Sequence, residues 1–384
     1  MKILALEPYY GGSHKALLDG IRDQSRHEWT VLGLPAHKWK WRMRHAAVTL
    51  AEQVNRRTAG GESFDALFCS DMLNLAEFRG LVHEGSAHES IGRLPSVVYF
   101  HENQLTYPVR HEDERDLHFA LTNWTTALAA DEVWFNSAFH RDSFLEALVA
   151  LLARMPDHRH IESVQRIRAK SSIQPPPIDL GTPRSPRTDG PLRILWAARW
   201  EHDKNPQTLF EALELLITRG VDFRISVIGE QFRDVPPIFE SAKERFARQI
   251  DRWGYQPCRS DYEAALAGAD VVVSTAIHEF FGISVVEAIA AGAYPLLPER
   301  LAYPEILAPL GPDAAKFFYD GDAGMLAERL EILASRVQSG HGSPSDLWQG
   351  DPTAASRSVE RFDRPHRVRE IDDRFEAIAA PRRP

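Results

Sequence analysis

The chain has 384 residues, of which 43% are apolar, so it can bury more than one small core and is expected to form at least two domains. Its two cysteines, Cys69 and Cys258, are far apart and offer neither a disulfide framework nor a metal-ligand cluster, which favours a reducing, cytoplasmic compartment. A formal charge of -9 argues against a surface adapted throughout to nucleic acid and leaves room only for a local basic patch.

Short β-rich runs alternate with helical patterns in the first half of the chain. The opening sequence MKILALEPYYGG predicts a first strand, because its apolar run is too short for a signal peptide or a membrane span, and no stable membrane association is expected. The alternation predicts a parallel sheet with helices on both faces. The predicted strands cover residues 3–6, 29–34, 66–69, 96–101 and 132–135.

A proline-rich segment, residues 174–190, separates this series from a second series of the same kind. Its three consecutive prolines cannot lie inside a helix or a central strand, so the segment is predicted to be a linker. The second α/β series comprises predicted strands at residues 193–197, 224–228, 271–274 and 294–297 and a helix over 206–218. We expect an N-terminal domain over residues 1–178, a C-terminal domain over 191–353, and a surface-covering helical tail over 354–384 that could cross back to the first domain.

The motif EPYYGGSHK places paired glycines directly after the first predicted strand. Gly11 and Gly12 would allow a turn tight enough for backbone N–H groups to approach an anion or another ligand, with Ser13 and His14 beside them in the first helical turn. An ordinary strand-to-helix turn explains the same residues equally well.

The segment LPAHKWKWRMRHA interleaves cations with indole rings. The cations could bind phosphates while the indoles stack on bases or sugars, which makes this segment the best local case for RNA contact. An amphipathic edge with buried tryptophans and solvated cations is the alternative. The residues concerned are Lys38, Trp39, Lys40, Trp41, Arg42 and Arg44.

The motif YFHENQLTYPV puts His101, Glu102 and Asn103 directly after a predicted strand. Loops at the carboxyl end of such strands commonly carry function, so the three side chains are candidates for ligand contact. A histidine at a strand end is structural about as often as it is functional. Three successive polar residues after an apolar strand favour the functional interpretation.

In the second domain, LRILWAARWEHDKNP carries Arg199 and Lys204 just beyond a predicted buried strand. Open α/β sheets bind ligands at this end, and two cations there suit a diphosphate. An isolated cation after a strand is usually only solvated. The following segment of the same domain shifts the balance toward a ligand site.

That segment, STAIHEFFGISVVEAIAAGAYP, has Glu279 before a predicted apolar helix and Glu287 inside it. If helical rise applied to all eight steps, the carboxylates would lie roughly 12 Å apart. Glycosidase carboxyl pairs lie about 5 to 10 Å apart, so the spacing favours a long bipartite ligand. The N–H groups of Phe281, Gly282 and Ile283 at the helix start would face a phosphate. The alternative is a helix-terminal charge and a solvated glutamate.

This arrangement resembles the retaining glycosyltransferases of family 4, which carry an Arg and a Lys after the first strand of their C-terminal domain and two glutamates with seven residues between them. The resemblance implies the GT-B fold, in which two Rossmann-like, doubly wound domains face a central cleft. It implies that Arg199 and Lys204 neutralise the diphosphate of a nucleotide sugar, while Glu279 contacts the transferred sugar and Glu287 the ribose. No cofactor and no metal are implied, and no Asp-x-Asp motif at a strand end offers a metal site.

The strings EPYYGGSHK, LPAHKWKWRMRHA, YFHENQLTYPV, FNSAFHRDSFL and MPDHRH are similar to the tRNA-queuosine mannosyltransferase family, which is related to the glycosyltransferase-domain-containing proteins of animals. The match covers most of residues 1–160. It implies transfer of mannose from GDP-mannose to the cyclopentenediol of queuosine in the anticodon loop of tRNA for aspartate. Gly12 would then serve the donor, His101 the transferred sugar or the acceptor, and the other N-terminal candidates the acceptor.

Three other functions stay open at this point. A GT-B enzyme acting on a lipid or glycan would need an apolar or amphipathic membrane patch, and the sequence shows no convincing one. An epimerase of the same architecture would convert the donor without an acceptor, and a nucleotide-sugar-binding protein would bind it without turnover. The donor base cannot be read from the residues, because its recognition would depend on loop backbone near residues 229–233 and 253–258.

Overall fold

The computed structural model divides into two compact units. The first is Met1–Ile178 with Arg364–Pro384, and the second is Asp179–Asp363. Each unit contains a six-stranded, wholly parallel sheet, which confirms the predicted α/β fold class. The structure describes residues 1–82, 91–108, 115–181, 190–231, 235–339, 347–348 and 350–380. Residues 182–189 of the predicted linker and 232–233 of the predicted base-recognition loop lie outside these ranges.

The first unit has the strand order β2-β1-β3-β4-β5-β6. Its strands are β1 (Lys2–Tyr10), β2 (Glu28–Pro35), β3 (Ala66–Ser70), β4 (Ser96–Phe100), β5 (Glu132–Phe135) and β6 (Ser171–Ile173). Its helices before the linker are α1 (Gly12–Gln24), α2 (Trp39–Ala59), α3 (Leu75–Leu81), α4 (Leu117–Ala129), α5 (Ala138–Ala153) and α6 (Glu162–Ala169), with a 3-10 turn at Ile91–Arg93. The five predicted strands are confirmed, whereas the short edge strand β6 carries two serines and was missed.

Both faces of this sheet are buried, which explains why its strands read as continuous apolar runs. Along β1, Leu4 and Leu6 enter one core cluster while Ile3 and Ala5 enter the other, because successive side chains point to opposite faces.

The second unit has the strand order β12-β11-β10-β7-β8-β9. Its strands are β7 (Leu192–Ala197), β8 (Phe223–Ile228), β9 (Ile250–Gly254), β10 (Val271–Val273), β11 (Tyr294–Pro298) and β12 (Phe318–Tyr319). Its helices are α7 (Pro206–Thr218), α8 (Ile238–Arg245), α9 (Arg259–Ala267), α10 (Ile283–Ala290), α11 (Tyr303–Leu307), α12 (Ala323–Ser339) and α13 (Ala354–Val359), with 3-10 segments at His202–Lys204, Ala308–Phe317 and Glu360–Phe362. The four predicted strands and the helix α7 are confirmed. The missed strands are β9, which is partly polar, and β12, which has two residues.

Each sheet has a point where the chain order reverses. In the first unit β1 pairs with both β2 and β3, and in the second unit β7 pairs with both β8 and β10. Ligands of open α/β sheets bind in the crevice outside the carboxyl ends of strands at such a point. The loops that follow β1 and β3, and those that follow β7 and β10, are therefore where a site is expected.

The C-terminal tail was expected to be a surface-covering helix that could cross back to the first domain, and its last part does belong to the first unit, although as a partly buried helix. Residues 354–363 belong to the second unit, and only the helix α14 (Arg364–Ala379) belongs to the first. On α14, Val368, Ile371 and Phe375 are buried in the core cluster on one face of the first sheet. The helix is therefore a structural element of the first unit.

Among the described residues, no helix combines the length and the apolar character that crossing a membrane requires.

Candidate active site

Lys204 lies in the 3-10 turn after β7 and is only 5% exposed. Its ammonium donates to the carbonyl of His278 at 2.8 Å and lies 3.2 Å from Glu279 Oε2 and 3.0 Å from Asp203 Oδ2. Burial alone would lower the pKa of Lys204, but Glu279 and Asp203 outweigh burial and the pKa is raised. The group is therefore a fixed cation that ties the loop after β7 to the loop after β10.

Arg199, the second predicted cation, is more accessible. Its side chain is 38% exposed and its Nη2 lies 3.4 Å from Glu201 Oε2. An ion pair with this exposure is weak, so the guanidinium can exchange this partner for another anion.

Glu279 is held by its own loop as well as by Lys204. Its Oε1 accepts hydrogen bonds from the backbone N–H groups of Phe280, at 3.1 Å, and Phe281, at 3.4 Å. Burial alone would raise the pKa of Glu279, but Lys204 and then Arg199 outweigh burial and lower it. The N–H of Phe281 thus contacts Glu279 here, and its predicted role as a phosphate ligand stays a prediction. Glu279 itself is an ionised acceptor with a preset orientation.

The start of α10 is fixed at the carboxyl end of β7. The hydroxyl of Ser284 donates to the carbonyl of Ala197 at 2.6 Å. Gly282 caps the helix with a φ of 94°, and a Cβ there would lie 3.1 Å from a ring carbon of Tyr303, so the position favours glycine. Gly282 and Ile283 thus keep the predicted position beside the cations.

The predicted helical spacing between the two glutamates is wrong. Residues 279–282 are not helical, and only the steps from Ile283 to Glu287 follow α10. The carboxylates nevertheless lie in separate environments, because Glu287 bonds to α9 and not to Lys204. Its Oε1 is 3.1 Å from Arg259 Nη1 and its Oε2 accepts the Tyr262 hydroxyl at 2.6 Å.

The sequence interpretation missed four partners in this unit. Arg259 and Tyr262 hold Glu287, while Asp203 and His278 surround Lys204. Burial and the charge of Lys204 lower the pKa of His278 to about 4, so its ring is neutral. Asp203 and His278 flank Lys204 and Glu279 in sequence, which was the available signal. Nothing in the sequence linked Arg259 or Tyr262 to Glu287.

The first unit carries a polar cluster where β1, β3 and β4 end. His14 Nδ1 lies 3.2 Å from Glu7 Oε2, and its ring stacks on His101 with centroids 3.7 Å apart and planes 18° apart. The carboxylate of Asp71, which is fully buried, accepts a hydrogen bond from the His101 backbone N–H at 2.9 Å. The structure thus brings the predicted residues His14 and His101 together and adds Glu7 and Asp71. Asp71 lies two residues after the predicted strand 66–69, and that position was the missed signal.

The charge states in this cluster differ sharply. Burial alone would lower the pKa of His14, but Glu7 outweighs burial and raises it to about 9. Burial and then the charge on His14 lower the pKa of His101 well below its usual value, while burial raises that of Asp71. A charged imidazole therefore stacks on a neutral one.

Glu7, His14 and His101 also offer three potential metal ligands within 4.8 Å of one another. Zinc requires imidazole lone pairs that converge on one point about 2.0 to 2.1 Å from each nitrogen. Stacked rings direct their lone pairs along nearly parallel lines, so the group suits an ion pair better than a metal centre. The expectation that no metal is needed stays a prediction.

The His14–Glu7 pair predicts a pH-dependent contribution to stability. Because the pKa of His14 is raised above its unfolded value of 6.5, the contribution is complete below pH 6.5 and is lost as the pH rises through about 9. It amounts to on the order of 3 kcal/mol. Urea unfolding at pH 6 and pH 9.5 should show a larger loss for wild type than for His14→Gln. His118→Gln, an exposed site, should behave as wild type, and equal pH dependence in all three proteins would refute the pairing.

Of the two predicted acceptor contacts that follow β4, Asn103 is structural and Glu102 stays a prediction. Asn103 is fully buried, and its Oδ1 accepts hydrogen bonds from the backbone of Leu105 and Thr106, so the side chain closes a turn and its predicted role is wrong. Glu102 is half-buried and accepts a hydrogen bond from Gln104 at 3.0 Å.

The two paired glycines lie in different surroundings. A Cβ on Gly11 would lie 2.3 Å from the Cβ of Ala36, so Gly11 is required by packing rather than by an approaching ligand. Gly12 has a φ of 53°, with open space around it, and both Gly12 and Ser13 are exposed. Gly12 and Ser13 therefore keep their places as candidates.

The basic segment divides between the interior and the surface. Arg42 is 9% exposed, donates to the carbonyl of Pro35 and lies 2.8 Å from a ring nitrogen of His45, so its predicted phosphate contact is wrong. Trp39 packs on Phe119. Trp41 is 60% exposed. The exposed members, which we call the α2 patch, are Lys38, Lys40, Trp41 and Arg44.

Comparison with known proteins gives the following matches. Residues 2–178 match the family described as tRNA-queuosine alpha-mannosyltransferase N-terminal, and residues 182–336 match glycosyl transferases group 1. The chain is 36% identical over 316 residues, 79% of its length and 81% of the relative's, to the tRNA-queuosine alpha-mannosyltransferase of Drosophila melanogaster. It is 24% identical to the GDP-mannose:cellobiosyl-diphosphopolyprenol alpha-mannosyltransferase of Xanthomonas campestris, over 49% of this chain and 48% of that protein.

Two solved structures are similar over nearly the whole chain. The Anabaena protein HepE in complex with UDP has a TM-score of 0.66 and 14% identity, covering 98% of this chain and all of that one. Sucrose-phosphate synthase from Thermosynechococcus elongatus has a TM-score of 0.71 and 12% identity, covering 99% and all of the two chains. At these identities the likeness establishes the GT-B fold alone.

Proposed function

We infer the function from one premise: the chain belongs to the tRNA-queuosine alpha-mannosyltransferase family. It is a glycosyltransferase of the hexosyl-transferring type. We propose that it moves mannose from GDP-mannose to queuosine in tRNA for aspartate. The observation that carries the proposal is the 36% identity over four-fifths of both chains. Its chemistry is supported by the charged group around Lys204 at the switch point of the second sheet.

The proposed donor site lies at the carboxyl end of β7. Arg199 binds the diphosphate, because its side chain is 38% exposed and an ion pair of that exposure, such as the one with Glu201, is weak enough to exchange for another anion. The N–H groups of Gly282 and Ile283 add the positive end of α10. Lys204 balances the same charge from a buried position, and Glu279 accepts hydrogen bonds from sugar hydroxyls. Glu287 binds the ribose.

In the proposed reaction, a hydroxyl of the acceptor attacks the anomeric carbon of mannose on the face from which the diphosphate leaves. The carbon–oxygen bond to the acceptor forms, the bond to the diphosphate breaks, and the acceptor proton passes to the leaving phosphate. Stereochemistry is retained. The enzyme acts mainly through charges fixed in advance around the departing oxygen. Neutral His101 can hydrogen-bond to the sugar or the acceptor.

The direct test supplies labelled GDP-mannose with total tRNA from queuosine-containing cells and from queuosine-deficient cells. We expect label only in the first pool, and none with the Glu279→Gln variant. Label in neither pool, or in both pools equally, would refute the queuosine acceptor. Consumption of the donor without tRNA would instead favour the epimerase alternative.

The α2 patch is the proposed contact for the anticodon stem-loop. Stacking of one base on an aromatic ring is worth about 1 to 3 kcal/mol, so Trp41→Ala should raise the KM for tRNA roughly tenfold or more. The kcat and the affinity for GDP should not change. Trp41→Phe should recover most of the loss. Val48→Ala, at an exposed position of α2 outside the patch, should have no effect on the KM. An unchanged KM for Trp41→Ala would remove this surface from the acceptor site.

A further inference from the structure

The carboxylate of Glu287 is clamped by two residues of α9, and the family resemblance assigned a role to neither. Glu287 is buried on α10, and each of its oxygens has one partner. Tyr262 donates its hydroxyl to Oε2 at 2.6 Å, and Arg259 places Nη1 3.1 Å from Oε1. Hydrogen bonds to a charged group are the stronger kind, so two contacts on different oxygens, the shorter one from Tyr262, fix the plane of the carboxylate.

Arg259 is itself held from two further directions. Its Nε lies 2.7 Å from Glu263 Oε1, one turn along α9, and its guanidinium lies over the ring of Tyr262 at 5.3 Å. Such an arrangement reduces the rotamer freedom that a half-exposed arginine would otherwise keep. Because the Arg259–Glu263 pair is exposed and weak, the Tyr262 hydroxyl on the buried Glu287 is the firmer part of the clamp and Arg259 the weaker part.

An ionised carboxylate has about four lone-pair positions, two on each oxygen. Within the part of the chain that the structure describes, Arg259 and Tyr262 occupy one position on each oxygen, which leaves one on each for a ligand. The two oxygens of the carboxylate lie about 2.2 Å apart in one plane. They can therefore accept hydrogen bonds from two neighbouring hydroxyls, such as the 2′- and 3′-hydroxyls of a ribose. A carboxylate free to rotate would satisfy one hydroxyl at a time.

We propose that Arg259 and Tyr262 are positioning residues that orient Glu287 so that the donor site selects a nucleotide with both ribose hydroxyls. The inference rests on the proposed function, because that function places the ribose at Glu287. It adds a selectivity device, built between α9 and α10, that neither sequence motif contains.

The charge state of Glu287 fits this role. Burial raises the pKa of Glu287, while Tyr262 and Arg259 pull it down and Asp179 adds to the rise. Burial and then Glu287 raise the pKa of Tyr262 well above its usual value, so Tyr262 stays a hydrogen-bond donor at every physiological pH. Removing the Tyr262 hydroxyl removes a bond to the ionised form and raises the pKa of Glu287 further.

The test compares GDP with 2′-deoxy-GDP, and UDP with 2′-deoxy-UDP, by calorimetric titration of the full-length protein. Wild type should bind either GDP or UDP more tightly than the other, and it should prefer that nucleotide to its 2′-deoxy form. Tyr262→Phe should bind that ribonucleotide about 10- to 100-fold more weakly, the range for a lost hydrogen bond to a charged group, and should bind both forms nearly equally. Its affinity should also begin to fall at a higher pH than that of wild type as the solution is acidified. In transfer assays the KM for the donor should rise while kcat changes little.

Tyr294→Phe is the matched control, because it deletes a hydroxyl that donates to the carbonyl of Lys316 elsewhere in the same unit. It should leave nucleotide selectivity unchanged. Arg259→Lys should recover part of the selectivity lost in Arg259→Ala. Full ribose selectivity in Tyr262→Phe, or no selectivity in wild type, would overturn the clamp. If the wild-type protein shows normal ribose selectivity but transfers no mannose to tRNA, the acceptor of the proposed function is refuted and the clamp is not.

Discussion

Replacing Lys204 by methionine is expected to lower the turnover number for mannosyl transfer by at least about 1,000-fold. Removing one preorganised group that stabilises developing negative charge typically costs 100- to 1,000-fold in kcat. Lys204 should exceed that range, because its ammonium also orients Glu279 at 3.2 Å. The measurement is single-turnover transfer from labelled GDP-mannose at saturating donor.

The same substitution should destabilise the second unit. Methionine would leave Asp203 and Glu279 without their buried cation, and removing one partner of a buried pair typically costs about 3 to 5 kcal/mol. Arg199→Ala separates chemistry from stability, since that exposed side chain should lose about 100- to 1,000-fold in kcat with little change in unfolding. Lys243→Met removes an exposed lysine of α8 as a control. Near-normal turnover in both Lys204→Met and Arg199→Ala would defeat the leaving-group assignment.

The contrast between the two cations follows from their surroundings. Lys204 and Arg199 share their region with three carboxylates, those of Glu201, Asp203 and Glu279. An arriving diphosphate therefore meets a group whose charges already compensate one another. Arg199 can turn toward it at smaller cost than Lys204, since its side chain is 38% exposed whereas Lys204 and its partner Asp203 are buried. In the proposed site Arg199 is therefore the accessible cation, and Lys204 is the buried charge that lowers the pKa of Glu279.

Much of the fold was predictable because both sheets are buried on two faces. Strands such as β3 and β10 then consist almost wholly of apolar residues, and the pattern predicts them directly. The strands β6, β9 and β12 are edge strands of their sheets, with short or partly polar sequences. Their existence depends on pairing with a neighbour already in place, which local sequence does not encode.

Site residues were predictable where a sequence motif fixes their position along the chain. They were not predictable where the direction of the side chain determines whether it faces the site. Lys204 and Glu279 were found, but their mutual contact was not. Arg42 shares the apolar face of α2 with Ala46 and Leu50, so helical periodicity placed it inside, yet its charge favoured a surface role. The prediction for Asn103 was wrong for a different reason, since its side-chain amide oxygen accepts hydrogen bonds from the backbone of its own turn.

The tail shows the same limitation on a larger scale. Its charged residues predicted a surface helix, and most of them are exposed on α14, whereas Arg367 and Asp372 are buried. Its few apolar residues recur at positions i, i+3 and i+7, which in Val368, Ile371 and Phe375 form a buried stripe. Asp372 adds a polar tie, accepting hydrogen bonds from Ser25 and the backbone of Arg26. The surface of the first unit that contacts α14 is more than 300 residues away in sequence, so local sequence patterns could not identify it.

Replacing Phe375 by alanine is therefore expected to destabilise the first unit by about 3 to 5 kcal/mol. The ring is fully buried and packs edge-on against Trp29, at 5.4 Å, and Trp134, at 5.5 Å, so its removal leaves a cavity that rigid indoles cannot fill. Hydrogen exchange should show early loss of protection in β1 and β3, with β7 and β8 unaffected. Arg369→Ala, on the exposed side of the same helix, should change stability by less than about 0.5 kcal/mol. Equal protection in the two variants would mean that α14 only covers the first unit and contributes nothing to its core.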